Sequence, residues 1–182
     1  SVFMESVLIQ VKIPLSLCIK QTGGGGMRTK IVAGNWKLNG SRAFNQALLN
    51  TLLPSLQAGV ETLIIPPLPY LEGLVRDYAG KGFSFGAQDV GLHAQGAFTG
   101  DTSAEMLKDI GCKYVLVGHS ERRQFQEESN ELVAEKFAAI QRAGLIPVLC
   151  VGEKLHQREA GHTEWVIEKQ LKPVFELAGK HG

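Results

Sequence analysis

The segment Gly118-His119-Ser120-Glu121 brings an imidazole, a hydroxyl and a carboxylate together in consecutive residues. Gly-His-Ser suggests a serine hydrolase, but Arg122 stands where a nucleophile elbow requires its second glycine. Taken alone, His119 is most simply a buried structural histidine. If a short helix starts at Ser120, however, its N-terminus faces the imidazole and favours the neutral ring, which can donate a hydrogen bond to a substrate carbonyl.

A second candidate group is the pair Asn35 and Lys37, an amide and an ammonium two residues apart. Both side chains suit the binding of an anionic or carbonyl-bearing ligand. A solvated surface lysine is an equally good interpretation of Lys37, because lysine is mostly exposed in proteins.

A third candidate is the long segment 88–101, which carries Phe98 and Thr99 near its tip. Loops of this length in a compact domain are usually functional or interfacial. Phe98 is an apolar side chain with no evident helix face of the same chain to join. The segment is therefore a candidate interface.

Five short apolar runs alternate with stretches whose apolar residues recur at helical spacing. In a parallel sheet the functional face lies at the carboxyl ends of the strands, which is where the three candidate groups fall. The pattern predicts an α/β fold, and a doubly wound sheet and a (β/α)₈ barrel both fit it. The predicted strands are 30–35, 61–65, 83–87, 114–118 and 146–151, and the predicted helices are 41–56, 70–78, 103–110, 129–143 and 163–178.

Local signals support several of these helix ends. Thr102 with Glu105 resembles a capping box, and Ser129 is a candidate N-cap. Gly111 and Gly144 follow the last periodic residues of two helices, as glycines that end helices do.

Composition excludes several other classes of protein. The chain has 182 residues, of which 44% are hydrophobic and 20% charged, and its net charge is +1. A net charge so close to zero does not indicate a surface that binds nucleic acid. No apolar run approaches the roughly 20 residues of a membrane span. Cys18, Cys112 and Cys150 are odd in number and suit a reducing compartment. No pair among the five histidines has the i, i+4 spacing of a helical metal site, so no metal is expected.

Residues 1–26 differ in composition from the rest and end in four consecutive glycines, which predict a flexible linker. Their apolar stretch lacks the basic flank and the cleavage site of a signal peptide. We interpret residues 1–26 as an extension and residues 27–182 as the structured domain.

Four motifs together resemble the triosephosphate isomerase family in order and separation. They are residues 34–40 (GNWKLNG), 96–100 (GAFTG), 118–123 (GHSERR) and 147–153 (PVLCVGE). The resemblance implies a (β/α)₈ TIM barrel and an isomerase of glycolysis and gluconeogenesis. Such an enzyme interconverts dihydroxyacetone phosphate and glyceraldehyde 3-phosphate through an enediolate. It also implies a cytoplasmic homodimer that uses no cofactor and no metal and binds no nucleic acid or membrane.

The resemblance also implies roles for individual residues. Asn35 and Lys37 would bind the substrate, and His119 would polarise its carbonyl and carry a proton between the two substrate oxygens. Glu121 would position the lysine, with Ser120 packed beside it. The remaining roles are structural support of the site, at Cys150 and Glu153, and the dimer interface, at Phe98 and Thr99.

The length of the chain sets a further expectation. A barrel of eight βα units takes about 250 residues, so five units take about 156, the length of residues 27–182. We therefore expect a TIM-barrel chain truncated after about five units, from which the general-base glutamate and the lid loop are absent. The alternative function is an inactive fragment that at most associates with a partner through the loop at Phe98 and Thr99 or through its open strand edges.

Overall fold

The computed structural model describes residues 29–178. The predicted extension at residues 1–26, including Cys18 and the glycine linker, lies outside the described residues. Contacts divide the chain into two units, Ser1–Gly86 and Ala87–Gly182. Within the described range, parallel strands alternate with helices along the chain, which confirms the α/β prediction.

The described part of the first unit, from residue 29 onward, contains three strands that pair in chain order, and both pairs are parallel. Residues Lys30 and Asn35 at the ends of the first strand align with Val60 and Ile65 of the second. The apolar residues Leu63, Ile64 and Ile65 are buried, as expected of a strand covered on both faces. The elements are β1 (Lys30–Asn35), α1 (Arg42–Leu52) followed by a 3₁₀ turn (Leu53–Ser55), β2 (Val60–Ile65), α2 (Leu68–Asp77) and β3 (Phe83–Ala87), the last residue of which belongs to the second unit.

The described part of the second unit, residues 87–178, contains a parallel strand pair and five helices. Every residue of its first strand is buried, and the longest helices of the unit pack against each other. The elements are α3 (Ala104–Asp109), β4 (Tyr114–Val117), α4 (Ser120–Phe125), α5 (Asn130–Arg142), β5 (Ile146–Leu149), α6 (Leu155–Glu159) and α7 (Thr163–Ala178).

Most of the predicted helix ends are confirmed, and one is wrong. Ser129 Oγ accepts the amide of the third residue of α5 at 3.1 Å, and Gly111 and Gly144 have φ of 87° and 79° just beyond two helices. The N-cap of α3 is Ser103, not Thr102, because Ser103 Oγ lies 3.2 Å from the amide it caps.

No helix of residues 29–178 is long and apolar enough to span a bilayer.

Candidate functional site

The turn after β4 requires a glycine. Gly118 has φ of 70°, a conformation that side-chain-bearing residues rarely adopt. A Cβ atom there would lie 2.6 Å from the guanidinium of Arg123 and 2.8 Å from Val133. The glycine thus lets the chain turn tightly from β4 into the segment that carries His119.

His119 is the N-cap of α4, the short helix whose presence the sequence argument required. The backbone amide of Glu121 donates to His119 Nδ1 across 3.3 Å. An accepting Nδ1 carries no proton, so a neutral ring bears its hydrogen on Nε2. The Glu121 carboxylate lies 3.5 Å from the same Nδ1, but an ion pair there requires a proton that the amide contact excludes. The side chain of His119 is 20% exposed, so it is more accessible than a core histidine.

Arg123 fixes the backbone around His119. Its Nε donates to the carbonyl oxygen of Gly118 at 2.6 Å and its Nη1 to Asn130 at 2.7 Å. Its Nη2 reaches the carbonyl oxygen of Cys150 at 3.3 Å, at the end of β5. Burial lowers the pKa of this guanidinium, which stays protonated because arginine has so high an intrinsic pKa. No role of Arg123 is predicted from the sequence, although a planar group with five donors suits such a junction.

The loop after β1 is held in a defined conformation. Asn35 Oδ1 accepts the amide of Lys37 at 2.9 Å, in the manner of an Asx turn. The amide of buried Trp36 donates to the carbonyl of Ile65 at 2.9 Å, which ties the loop to the end of β2. Lys37 itself has φ of 52°, which costs a residue with a side chain of order 1–3 kcal/mol. Backbone strain of this kind clusters at functional sites.

A buried amide lies beneath the same loop. Asn45 of α1 is 1% exposed, and neither its Oδ1 nor its Nδ2 has a hydrogen-bond partner among the described residues. A Cβ atom at Gly40, where φ is 138°, would lie 2.8 Å from Asn45 Oδ1. Gly40 therefore allows the loop to pass close over α1.

The loop after β5 is tied down by side chains of α6 and α7. Glu153 accepts from Arg158 Nε at 2.6 Å and from Thr163 Oγ1 at 3.4 Å. The hydrogen bond from Arg158 lowers the pKa of Glu153. Gln170 forms two hydrogen bonds with Gly152, one to its amide and one to its carbonyl, both at 2.9 Å.

Cys150 begins this loop, and its amide donates to the carbonyl of Val117 at 2.9 Å. Burial raises the pKa of its thiol to about 11, against the opposing effect of Arg123. A thiol with so high a pKa is a packing group and not a nucleophile at neutral pH.

The loop predicted as an interface has a partner of its own. The ring of Phe98 stacks on His93 at a centroid separation of 3.8 Å and an interplanar angle of 10°. Phe98 is nevertheless 43% exposed, and Thr99 is exposed. The sequence shows no helix face for Phe98 to join, and its partner is a ring of the same loop.

An ionic cluster in the second unit was not predicted. Lys136 Nζ lies 2.7 Å from Glu128 and 2.8 Å from Asp89, and Arg122 contacts the same two carboxylates at 2.7 and 2.9 Å. The Glu128 side chain is 2% exposed and that of Lys136 is 8% exposed. Two cations thus balance two anions in a cluster that includes Arg122 of α4, the helix that His119 caps.

The predicted site residues divide between the two units. Asn35 and Lys37 lie in the first unit at the carboxyl end of β1, and all the others lie in the second. Within the second unit, the ends of β4 and β5 are joined through Arg123. Among residues 29–178, no group of three or more metal-ligating side chains is close enough to hold an ion.

Comparison with known proteins gives one consistent result. A sequence model of the family described as "Triosephosphate isomerase" matches residues 30–182. A curated relative with that name from Stenotrophomonas maltophilia (strain K279a) is 60% identical over 157 residues, which cover 86% of this chain and 62% of the relative. Relatives of the same name from Xanthomonas campestris pv. campestris (strain 8004) and Xanthomonas axonopodis pv. citri (strain 306) are 57% and 59% identical over the same shares. The chain thus spans about three fifths of the length of the curated relatives it matches.

Proposed function

Because the chain belongs to the triosephosphate isomerase family, we propose that it carries the carbonyl-polarising and substrate-binding residues of an enzyme that interconverts dihydroxyacetone phosphate and glyceraldehyde 3-phosphate. Its fold is that of the α/β TIM-barrel family, of which residues 29–178 contain five strands. The observation that carries the proposal is the hydrogen bond from the Glu121 amide to His119 Nδ1.

The proposed role of His119 follows from its tautomer. With Nδ1 accepting from the backbone, the Nε2–H is the donor of the ring. Directed at a substrate carbonyl, this donor stabilises negative charge as it develops on oxygen during enediolate formation. The family is itself the standard example of a neutral histidine in this role. The ring would then carry a proton between the two substrate oxygens.

The proposed role of Lys37 is electrostatic. Its ammonium favours a phosphate dianion and the enediolate charge, and the Asx turn from Asn35 holds its backbone in place before substrate arrives. Fixed positioning of this kind lowers the entropic cost of the reaction. Cys150 and Glu153 would support the site through the loop after β5, as Ser120 would through the first turn of α4.

We assign the general base to no carboxylate of residues 29–178. By the family resemblance the base lies in the part of the relatives that this chain does not span, and proton abstraction cannot proceed without one. We therefore expect the 182-residue polypeptide to be inactive when assayed alone. The alternative function, that of an inactive interaction partner, predicts the same result for this polypeptide.

An extended protein separates the two functions. The experiment joins the 182-residue chain to the unmatched part of the Stenotrophomonas maltophilia relative and measures turnover of both triose phosphates in a coupled assay. We expect turnover only in the extended protein, where His119→Gln should lower kcat by about 10²-fold or more with a smaller change in KM. Lys37→Ala should raise KM and lower kcat, whereas Lys81→Ala, at a lysine stacked on Tyr78, is the control. Unchanged kcat in His119→Gln would refute the proposed function.

We further propose a cytoplasmic homodimer acting in glycolysis and gluconeogenesis. The support for dimerisation is the exposed loop at Phe98 and Thr99, stiffened by the stacking of His93 on Phe98. In the extended protein, Thr99→Arg should shift sedimentation from dimer toward monomer. Glu135→Arg, at an exposed residue remote from this loop in sequence, is the control.

A further inference from the structure

Both peptide groups that flank His119 accept hydrogen bonds from one residue, Arg123. The Nε–H of its guanidinium donates to the carbonyl oxygen of Gly118, immediately before His119, at 2.6 Å. Its backbone amide donates to the carbonyl oxygen of His119 itself at 3.0 Å. Because each peptide group is planar, the orientation of the two groups determines the direction in which the side chain between them leaves the backbone. Arg123 therefore restrains the direction of the imidazole.

The guanidinium of Arg123 is itself anchored to two other elements. Its Nη1 donates to Oδ1 of Asn130, the first residue of α5, at 2.7 Å. Its Nη2 donates to the carbonyl oxygen of Cys150, just after the end of β5, at 3.3 Å. All three guanidinium nitrogens are thus engaged, which a planar fork of donors allows and a lysine ammonium at a single point does not. The turn at His119 is fixed relative to β5 and α5 through this one group.

The guanidinium lies in the space that a side chain at residue 118 would fill. A Cβ atom on Gly118 would lie 2.6 Å from Arg123 Nη2 and 3.1 Å from Arg123 Cζ. The glycine is buried and the arginine is half-buried. Gly118 thus serves two purposes, because it adopts the positive φ of the turn and leaves room for the arginine beside it.

Precise placement of His119 matters because of the role proposed for it. A hydrogen-bond donor stabilises a developing oxyanion only when it already lies at hydrogen-bond distance from the place where the charge forms. A displacement of about 1 Å in such a group costs on the order of 100-fold in rate. The imidazole is a side chain on a turn, and the bonds from the Arg123 guanidinium fix this turn to its surroundings.

We propose that Arg123 is a positioning residue of the isomerase, which holds the Nε2–H of His119 at the substrate carbonyl by fixing the backbone before and after it. Arg123 acts through His119 and not by contact with the substrate. The proposal rests on the proposed function, to which it adds a residue that sets the geometry of the carbonyl-polarising group.

The kinetic test uses the extended protein described above. Arg123→Met keeps the apolar stem and removes the guanidinium donors, and Arg123→Lys keeps the charge but supplies a single nitrogen. We expect both variants to lower kcat by about 10- to 100-fold, with a smaller change in KM. Arg142→Met, at an exposed arginine of α5, is the control and should change kcat by less than about twofold. A kcat for either Arg123 variant within about twofold of wild type would overturn the proposal.

A double-mutant cycle separates positioning from general destabilisation. If Arg123 acts through His119, its substitution has little left to disturb once the imidazole is gone. We therefore expect the kcat of the Arg123→Met, His119→Gln double variant to lie within about twofold of that of His119→Gln alone. A purely structural role lowers kcat by the same factor in both backgrounds, and that result would overturn the proposal.

A spectroscopic test in the 182-residue chain does not depend on isomerase activity. The hydrogen bond from the Glu121 amide to His119 Nδ1 requires that the imidazole stay over the first turn of α4. We expect imidazole ¹⁵N shifts to report the Nε2–H form in wild type and Arg142→Met, and a mixture of tautomers in Arg123→Met. Identical shifts in all three proteins would overturn the proposal.

Two further outcomes are informative. If Arg123→Met loses its circular dichroism signal, Arg123→Lys takes its place in the double-mutant cycle and the ¹⁵N experiment under the same criteria. A mixture of tautomers in the Arg123 variant, together with unchanged kcat in His119→Gln, would support the positioning of His119 by Arg123 and refute the proposed function.

Discussion

The backbone amide of Glu121 and the Nδ1 atom of His119 form a hydrogen bond of 3.3 Å that closes the first turn of α4 on its own N-cap. A side chain usually caps a helix with an oxygen, and here an imidazole nitrogen replaces it. The cap therefore determines the tautomer as well as the start of the helix.

This relationship predicts that the tautomer depends on one amide. Glu121→Pro removes the N–H at a first-turn position that tolerates proline, whereas the control Glu121→Ala removes only the carboxylate. We expect the imidazole ¹⁵N shifts of His119 to report the Nε2–H form in wild type and Glu121→Ala, and a mixture of tautomers in Glu121→Pro. Identical shifts in all three proteins would show that the amide does not select the tautomer.

The ionic cluster predicts opposite pH responses from its two carboxylates. Burial raises the pKa of Glu128, but hydrogen bonds from Lys136 and Arg122 outweigh it and hold that pKa below its usual value. At Asp89 the effect of burial is larger than that of the hydrogen bond from Lys136, so the pKa of Asp89 is raised. Glu128 thus contributes stability above its unfolded-state pKa and loses it as pH falls through its folded-state pKa. Asp89 contributes stability below its unfolded-state pKa and loses it as pH rises through its folded-state pKa.

Urea unfolding between pH 3 and 8 checks this pair. At pH 7, Glu128→Gln should cost about 3 kcal/mol because it leaves buried cations with too few anions, and Asp89→Asn should cost less. The deficit of Glu128→Gln should shrink toward pH 3, while that of Asp89→Asn should grow. A deficit for Glu128→Gln that is constant across this range would contradict the assignment.

We expect that the buried side chain of Asn45 can be replaced by an apolar one without loss of stability. This side-chain amide has no hydrogen-bond partner among the described residues, so Asn45→Leu removes no side-chain hydrogen bond between them. The substitution should leave the free energy of unfolding unchanged or raise it by up to about 1 kcal/mol. Ser103, 4% exposed, is the matched buried polar residue. Because its hydroxyl caps α3, Ser103→Ala should cost about 1 kcal/mol. A larger loss for Asn45→Leu than for Ser103→Ala would overturn this prediction.

The two described thiols should be inert. Burial raises the pKa of Cys112 to about 12 and that of Cys150 to about 11. At pH 8 the thiolate fraction of such groups is at least about 100-fold below that of an ordinary cysteine. In a Cys18→Ser background, iodoacetamide should modify the native chain at least about 100-fold more slowly than the urea-unfolded chain. Comparable rates in the two states would contradict the burial of both thiols.

The sequence predicted the elements better than their contacts. The bounds of β1 and β3 match the apolar runs, and the structure confirms Ser129 as an N-cap. Predicted strands 114–118 and 146–151 end early, at Val117 and Leu149, because their last residues enter the loops that carry the site. The short helix α6 was missed because five residues are too few to show helical periodicity.

In the candidate site, too, local features can be predicted from the sequence and long-range contacts cannot. A histidine before a short helix can be predicted from local sequence. The partnership of Lys136 with Asp89 cannot, because the two residues are 47 positions apart and a lysine on a helix is ordinarily solvated. The positive φ of Lys37 is equally hidden, because lysine rarely adopts that conformation.

The double hydrogen bond between Gln170 and Gly152 sets the rotational phase of α7. Each helical residue adds about 100° of rotation and 1.5 Å of rise, so a slip of α7 by one residue would break both bonds at once. The angle around the helix axis between Gln170 and Phe175 is therefore fixed by the five-residue interval between them. One residue inserted within it would turn Phe175 by about 100° around the helix axis relative to Gln170, even with every side chain of α7 unchanged.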